Sequence, residues 1–114
     1  TERASGGGAD QIFGELGDDR IYAGAGNDTV EGGEGSDEIW SEKGDDIVMG
    51  QAGADVIDGG AGNDDIEGND GDDELYGKDG RDTIDGGEGT DYINGGLGAD
   101  TLTGGAGNDE ILGE

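Results

Sequence analysis

One residue with metal-binding chemistry, Asp, recurs at a fixed spacing along this chain of 114 residues. Cutting the sequence at Ser5 gives twelve consecutive units of nine residues, which tile residues 5–112 without an insertion. The sixth position of the unit is always Asp: Asp10, Asp19, Asp28, Asp37, Asp46, Asp55, Asp64, Asp73, Asp82, Asp91, Asp100 and Asp109. Carboxylates in a regular array, in a chain with no His or Cys, suit a hard cation that takes oxygen ligands.

Two further positions keep their residue type through all twelve units. The eighth is Ile, Val or Leu, which suits a short strand over positions seven to nine with one side chain inward and two outward. The fourth is always Gly, as a turn with positive φ or close backbone approach requires. These glycines are Gly8, Gly17, Gly26, Gly35, Gly44, Gly53, Gly62, Gly71, Gly80, Gly89, Gly98 and Gly107.

The repeat predicts how the carboxylates are positioned. A turn over positions one to six and a strand over positions seven to nine make half a coil, so two units complete a coil of 18 residues. Each turn then stacks on the turn two units later, at the strand separation of about 4.8 Å. Because such columns of carboxylates repel one another, we expect them to attract Ca²⁺, a hard cation that takes carboxylate and backbone carbonyl oxygens. Mg²⁺ fits less well because it prefers to keep its waters.

The composition supports the same prediction. The chain has 30 Gly, 31 Asp plus Glu, 5 Lys plus Arg and a formal charge of −26, and only 28% of its residues are hydrophobic. A chain of this kind is expected to be disordered unless something positively charged helps it fold. It offers no basic patch for nucleic acid, no apolar run that could span a membrane, and no Cys for disulfides or thiolate metal sites.

The unit GGxGxDxUx resembles the RTX, or haemolysin-type, calcium-binding repeat. The resemblance implies an all-β, right-handed parallel β-roll in which each ion lies between two turns on one edge. It also implies that the ligands are the Asp of one turn, the Asp of the next turn and backbone carbonyls near the fourth-position glycines. The implied pairs run from Asp10 with Asp28 to Asp91 with Asp109, or about ten sandwiched sites, five per edge. Ten ions would change the formal charge from −26 to −6.

Several units depart from the pattern in the turn. The second position is not Gly at Glu15, Glu42, Gln51, Asn69 and Lys78, and the first position is not Gly at Ser5, Ala23 and Ser41. If these positions need positive φ, the affected turns are strained or bind calcium more weakly. Asp46 belongs to the turn that departs most, Ser41-Glu42-Lys43-Gly44, so we expect it to be the weakest ligand.

The biological role is less constrained. No His, Cys or nucleophile–base arrangement is present, so we expect no enzyme. We interpret residues 1–114 as one repeat domain and, since the chain starts at Thr1 without Met or a recognisable signal peptide, as a fragment of a longer protein. The resemblance implies a secreted bacterial protein, extracellular or on the cell surface. The roll would be a structural array in an adhesin, surface layer or filament; the alternatives are a folding and export module of a type I-secreted toxin or enzyme, and a polysaccharide-binding module.

The repeat also predicts a candidate contact face. Strands of odd and even units belong to different sheets, and the outward positions of the even sheet carry Tyr22, Trp40, Tyr76 and Tyr92. Exposed aromatic side chains suit interfaces with proteins or sugars, although they also pack across neighbouring strands. Since no capping segment is recognisable, we further expect self-association of the roll, end to end or laterally.

Overall fold

The chain folds as two parallel β-sheets. The computed structural model describes residues 2–4 and 7–113, and the regular elements of these residues are all strands. One sheet has seven strands: β1 (Glu2–Ala4), β3 (Arg20–Tyr22), β5 (Glu38–Trp40), β7 (Val56–Asp58), β9 (Glu74–Tyr76), β11 (Tyr92–Asn94) and β13 (Glu110–Leu112). The other has six: β2 (Gln11–Phe13), β4 (Thr29–Glu34), β6 (Ile47–Ala52), β8 (Asp65–Asp70), β10 (Thr83–Asp85) and β12 (Thr101–Thr103).

The predicted coil of 18 residues is confirmed by the strand register. Arg20 pairs with Glu38 and Ile39 pairs with Ile57, each 18 residues apart along the chain. Successive strands alternate between the sheets, so even units form the seven-stranded sheet and odd units the six-stranded sheet. The sequence reading missed β1, which precedes the first unit and pairs with β3. β1 has three residues and lies outside the nine-residue units, so the repeat did not predict it.

The core is a double row of eighth-position side chains. From Ile12 to Ile93 these residues are buried, and in the three-residue strands of this range the inward residue is flanked by two outward ones. Leu102 is only partly buried and Ile111 is 43% exposed, so the core opens in the last coil. One aliphatic side chain per strand makes a narrow core, and the molecule measures only 13 Å along its shortest axis.

The turns use positive φ at two positions. All twelve fourth-position glycines have φ between 97° and 131°. The second position is also left-handed, and it holds every described non-glycine residue with positive φ: Glu15, Glu42, Gln51, Asn69 and Lys78, at 72° to 78°. The strain predicted for these units is therefore present. The first position is different, because neither Ala23 nor Ser41 has positive φ; Ser5 lies outside the described residues. In the described part of the chain, no helix is long and apolar enough to cross a membrane.

Candidate metal sites

The repeat Asp residues form two ladders, one along each edge of the roll. From Asp10 to Asp91, the backbone N–H of each ladder Asp donates a hydrogen bond to Oδ1 of the Asp one coil later, at 2.7 to 2.9 Å. The joined pairs are Asp10–Asp28, Asp19–Asp37, Asp28–Asp46, Asp37–Asp55, Asp46–Asp64, Asp55–Asp73, Asp64–Asp82, Asp73–Asp91, Asp82–Asp100 and Asp91–Asp109. These are the ten pairs that the repeat spacing brings into adjacent turns.

The second carboxylate oxygen of these residues is buried without a hydrogen-bond partner. This holds for Oδ2 of Asp28, Asp37, Asp46, Asp55, Asp64, Asp73, Asp82, Asp91 and Asp100. From Asp19 to Asp91 the sixth-position Asp residues are at most 2% exposed, whereas Asp10, Asp100 and Asp109 near the ends are half-buried. A buried carboxylate oxygen without a partner is costly, so each of these atoms calls for a cation or a proton.

Backbone oxygens converge on the same places. A β-carbon added to Gly77, the first residue of its unit, would lie 2.5 Å from Asp82 Oδ2 and 2.7 Å from the Gly95 carbonyl oxygen of the next coil. The equivalent point at Gly86 lies 2.5 Å from Asp91 Oδ2 and 2.8 Å from the Gly104 oxygen. A side chain at the first position of the repeat would thus crowd a carboxylate and a carbonyl oxygen, and we call this close approach of two oxygens to the glycine the oxygen cradle.

The fourth-position glycines serve the stacking of the turns. A β-carbon on Gly26 would collide with the carbonyl oxygen of Gly8, and one on Gly44 would collide with that of Gly26. These carbonyls therefore point along the stack of turns towards the next coil. The sequence predicted carbonyl ligands near these fourth-position glycines, and their coordination of an ion stays a prediction. The carbonyl oxygens that the structure places beside the Asp ladder are those of first-position glycines such as Gly95 and Gly104.

Burial strongly perturbs the acidity of the ladder. It raises the pKa of Asp55, in the middle of its edge, to about 8, and the pKa values of Asp64 and Asp73 to about 7. The pKa values of Asp46 and Asp82 rise to about 6 for the same reason. Repulsion from Asp neighbours one coil away adds to each of these shifts. The ion-free fold therefore resists full ionisation of its own ladder.

The donor set fits a calcium ion. Carboxylate and carbonyl oxygens are the ligands that Ca²⁺ takes in proteins, in flexible geometry. Among the described residues no three Asp, Glu, His or Cys side chains form a cluster that could hold a metal by themselves. At Gly77 a backbone carbonyl oxygen lies beside a ladder carboxylate, so main-chain oxygens are available to complete a site. A bound Ca²⁺ would supply the positive charge that the buried Oδ2 atoms lack.

The stacked turns and their oxygens define a calcium-binding parallel β-roll. The profile of the RTX calcium-binding nonapeptide repeat matches the chain in four copies, over residues 5–39, 40–75, 67–102 and 85–114. These matches cover the chain almost completely, so it belongs to the RTX calcium-binding repeat family and is a calcium-binding repeat module. A comparison with curated proteins finds no match.

The fifth position of the unit contributes a contact that the sequence reading did not find. Oδ1 of Asn27 accepts the backbone N–H of Asp45 one coil later, and Oδ1 of Asp45 accepts that of Asn63, both at 2.8 Å. The fifth position has no fixed residue type through the twelve units, so the repeat pattern assigns it no role. The 18-residue spacing between its Asn and Asp residues was the signal that could have revealed this second, outer row of links.

The four residues of the candidate contact face lie on the seven-stranded sheet, as predicted. Tyr22 and Trp40 stack face to face, with ring centroids 4.8 Å apart and an interplanar angle of 8°. Tyr76 and Tyr92 form a second, tilted pair at 5.8 Å. All four rings are half-buried rather than fully exposed. Each pair therefore covers its own strands, while one side remains open to solvent.

Proposed function

We propose that this chain is an extracellular structural segment of a secreted bacterial protein, which folds when calcium fills about ten sites between its turns, five on each edge. The observation that carries the proposal is the column of buried Oδ2 atoms without partners along both edges. These atoms require positive charge, and a metal that binds only the folded state stabilises that state by mass action.

The scaffold role rests on the uniformity of the roll. Every coil repeats the same two strands and two turns, and the described residues contain no element of another kind. The segment has no His or Cys, and the ladder Asp residues are held by adjacent coils, so we propose no catalytic activity for it. A role in folding and export of a type I-secreted toxin or enzyme remains the alternative function.

Circular dichroism and small-angle X-ray scattering test the proposal directly. Without calcium the chain should give a disordered spectrum and an expanded radius; with millimolar Ca²⁺ it should become compact and rich in β-structure. Mg²⁺ at the same concentration is the control and should fail to fold it. A calcium-free spectrum already rich in β-structure at neutral pH, or equal folding by Mg²⁺, would refute the proposal. Equilibrium dialysis then counts the bound ions.

A further inference from the structure

The first position of the repeat differs between the two edges of the roll. On the odd edge, where the turns of odd units stack, Ala23 and Ser41 occupy this position in the third and fifth units. On the even edge the position is Gly in every unit: Gly14, Gly32, Gly50, Gly68, Gly86 and Gly104. The two edges therefore offer different oxygen cradles to a cation.

The backbone accepts these two residues without strain. The Ala23 N–H donates to the Trp40 carbonyl at 2.9 Å and the Ser41 N–H donates to the Asp58 carbonyl at 3.0 Å. Gly14 makes the equivalent bond, to the carbonyl of the residue 17 positions later, at 2.8 Å. Because neither residue has positive φ, backbone strain gives no reason for glycine at this position. The reason for glycine must lie in the space beside it.

That space is the oxygen cradle. A β-carbon added at Gly50 would lie 2.5 Å from Asp55 Oδ2, and one at Gly59 would lie 2.7 Å from Asp64 Oδ2. Ala23 and Ser41 carry a real β-carbon at this position, and both side chains are fully buried. A β-carbon cannot ligate a cation, and because 2.5 to 2.7 Å is too short for a contact between carbon and oxygen, the neighbouring carboxylate has to lie further from this position than it does at a glycine.

Ser41 also engages one of the oxygens. Its hydroxyl donates a 2.8 Å hydrogen bond to the carbonyl oxygen of Gly59, the first residue of the stacked unit. In the glycine units the corresponding carbonyl oxygen lies beside a carboxylate with no side chain near it, since the Gly95 oxygen and Asp82 Oδ2 are both within 2.7 Å of the point where a β-carbon of Gly77 would lie. A cation beside Asp46 would have to compete with this hydrogen bond for the Gly59 oxygen.

We infer that Ala23 and Ser41 make a low-affinity segment on the odd edge, so that the roll loads calcium in two stages. The even edge and the C-terminal part of the odd edge fill first, and the sites built on Asp28 and Asp46 fill last. This inference rests on the proposed binding of calcium by the ladder Asp residues. It assigns the weakness of this segment to the first position of the unit rather than to the strained second position.

The test compares calcium binding by the unaltered chain with that by the double variant Ala23→Gly/Ser41→Gly. Isothermal titration calorimetry gives the affinity classes, and native mass spectrometry counts the ions at each calcium concentration. The unaltered chain should show a minor class about tenfold weaker than the rest, since groups around a metal ligand typically change affinity by this much. The double variant should lose that class and bind the full number of ions at lower calcium.

Two matched variants isolate the cause. Gly50→Ser places the same hydroxymethyl group in an even-edge cradle and should create a new weak class there. Ser41→Ala keeps the β-carbon and removes the hydroxyl, so it should recover only part of the affinity. An added glycine by itself increases the conformational entropy of the unfolded chain and so raises the calcium concentration needed for folding. This effect is opposite to the one expected for the double variant.

The outcomes separate this inference from the proposed function. A single affinity class in the unaltered chain, or a weak class that persists in Ala23→Gly/Ser41→Gly, would overturn the two-stage loading while leaving calcium binding intact. Absence of calcium binding in every variant would instead overturn the proposed function. If Gly50→Ser does not fold at saturating calcium, the double glycine variant, which only removes atoms, decides the question alone.

Discussion

The backbone N–H of Asp55 donates a 2.8 Å hydrogen bond to Oδ1 of Asp73, and Oδ1 of Asp55 accepts an equal bond from the N–H of Asp37. Each internal ladder residue thus links to the coil before it through its side chain and to the coil after it through its backbone. The carboxylate therefore has a structural task in addition to any contact with calcium, and its other oxygen, Oδ2, remains available for the ion.

Asp55→Ala should raise the calcium midpoint of folding severalfold. The substitution removes a candidate ligand and leaves the buried Asp37 N–H without its acceptor, which costs about 1–3 kcal/mol. Asp65→Ala is the matched control, because Asp65 is an exposed outward residue of β8. Calcium titrations followed by circular dichroism measure both midpoints. Coincident curves for the two variants would show that the ladder assignment is wrong.

Asp58→Ala provides a second control on the outer face. The ninth position of the unit predicts that Asp58 faces outward into water. In the structure only 26% of its side chain is exposed, and its Oδ2 lies 3.5 Å from Lys78 Nζ. Surface ion pairs contribute about 0–1 kcal/mol, so this variant should shift the midpoint far less than Asp55→Ala does. A shift equal to that of Asp55→Ala would contradict the distinction between ladder and surface acids.

Acid should partly replace calcium. The pKa of Asp55 is about 8 in the fold against an ordinary value of 3.8, and that of Asp64 is about 7. Because the folded state binds these protons more tightly, the penalty for folding without calcium is complete above pH 8 and is relieved progressively as the pH falls towards 4. Calcium-free circular dichroism between pH 8 and pH 4 should show growing β-structure, and a spectrum independent of pH would contradict this.

The same linkage predicts that protons compete with calcium. As the pH falls from 8 and the calcium-free chain gains β-structure, the ladder carboxyls of the folded form hold protons that calcium must displace, because their pKa values are raised there. The calcium concentration at half-saturation, measured by isothermal titration calorimetry, should therefore rise over this range, with net proton release on binding. Half-saturation that stays constant over the pH range in which the calcium-free chain gains β-structure would show that these carboxyls are not ligands.

Replacing Glu42 by Gly should stabilise the calcium-loaded roll by about 0.5–1 kcal/mol, because Glu42 has a φ of 78° that costs a non-glycine residue about 1–2 kcal/mol. Glu34→Gly is the control: it removes the same charge from an exposed position without positive φ, and it should destabilise the roll through added chain entropy. Chemical denaturation at saturating calcium compares them. Equal loss of stability in both would mean that the second position is not strained.

The sequence predicted the coil and the register because the repeat has no insertion. The stacking of Tyr22 on Trp40 at 4.8 Å follows from that register, since both are ninth residues of neighbouring even units. The individual contacts within each turn could not be predicted from the residue types and their spacing. The use of Asp55 Oδ1 by a backbone amide, and the different reasons for glycine at positions one and two, depend on distances and dihedral angles within the turn.

The aromatic pairs of the even sheet either form a contact face or only pack against neighbouring strands, and a double substitution distinguishes these two roles. If they form a contact face, Trp40→Thr/Tyr76→Thr should keep its calcium midpoint and lose self-association or retention on polysaccharide, because Thr preserves the strand and removes the ring. Sedimentation and affinity electrophoresis measure these properties. Phe13→Thr, on the other sheet, is the control. A weakened calcium midpoint with unchanged partner binding would identify the rings as packing residues, as their half-buried state permits.

The last coil should be the least protected part of the roll. Ile111 is 43% exposed and Leu112 is 41% exposed, whereas Ile57 is fully buried in the middle. An unpaired edge strand either frays or pairs with another chain. In the presence of calcium we therefore expect either fast hydrogen exchange in β13, or association at higher protein concentration that slows this exchange. Exchange monitored by mass spectrometry at two protein concentrations tests this. Uniform protection from β2 to β13 in a strict monomer would contradict it.

The alternation of strands between the two sheets restricts how the length of this molecule can change. Inserting one nine-residue unit between Trp40 and Tyr76 would move every later strand to the opposite sheet, and the pair Tyr22–Trp40 would no longer share a face with Tyr76–Tyr92. Inserting two units would only lengthen the roll by one coil and leave every residue on its original side. Gains and losses of repeats should therefore be tolerated in even numbers, so that the roll elongates by whole turns while its two faces keep their identity.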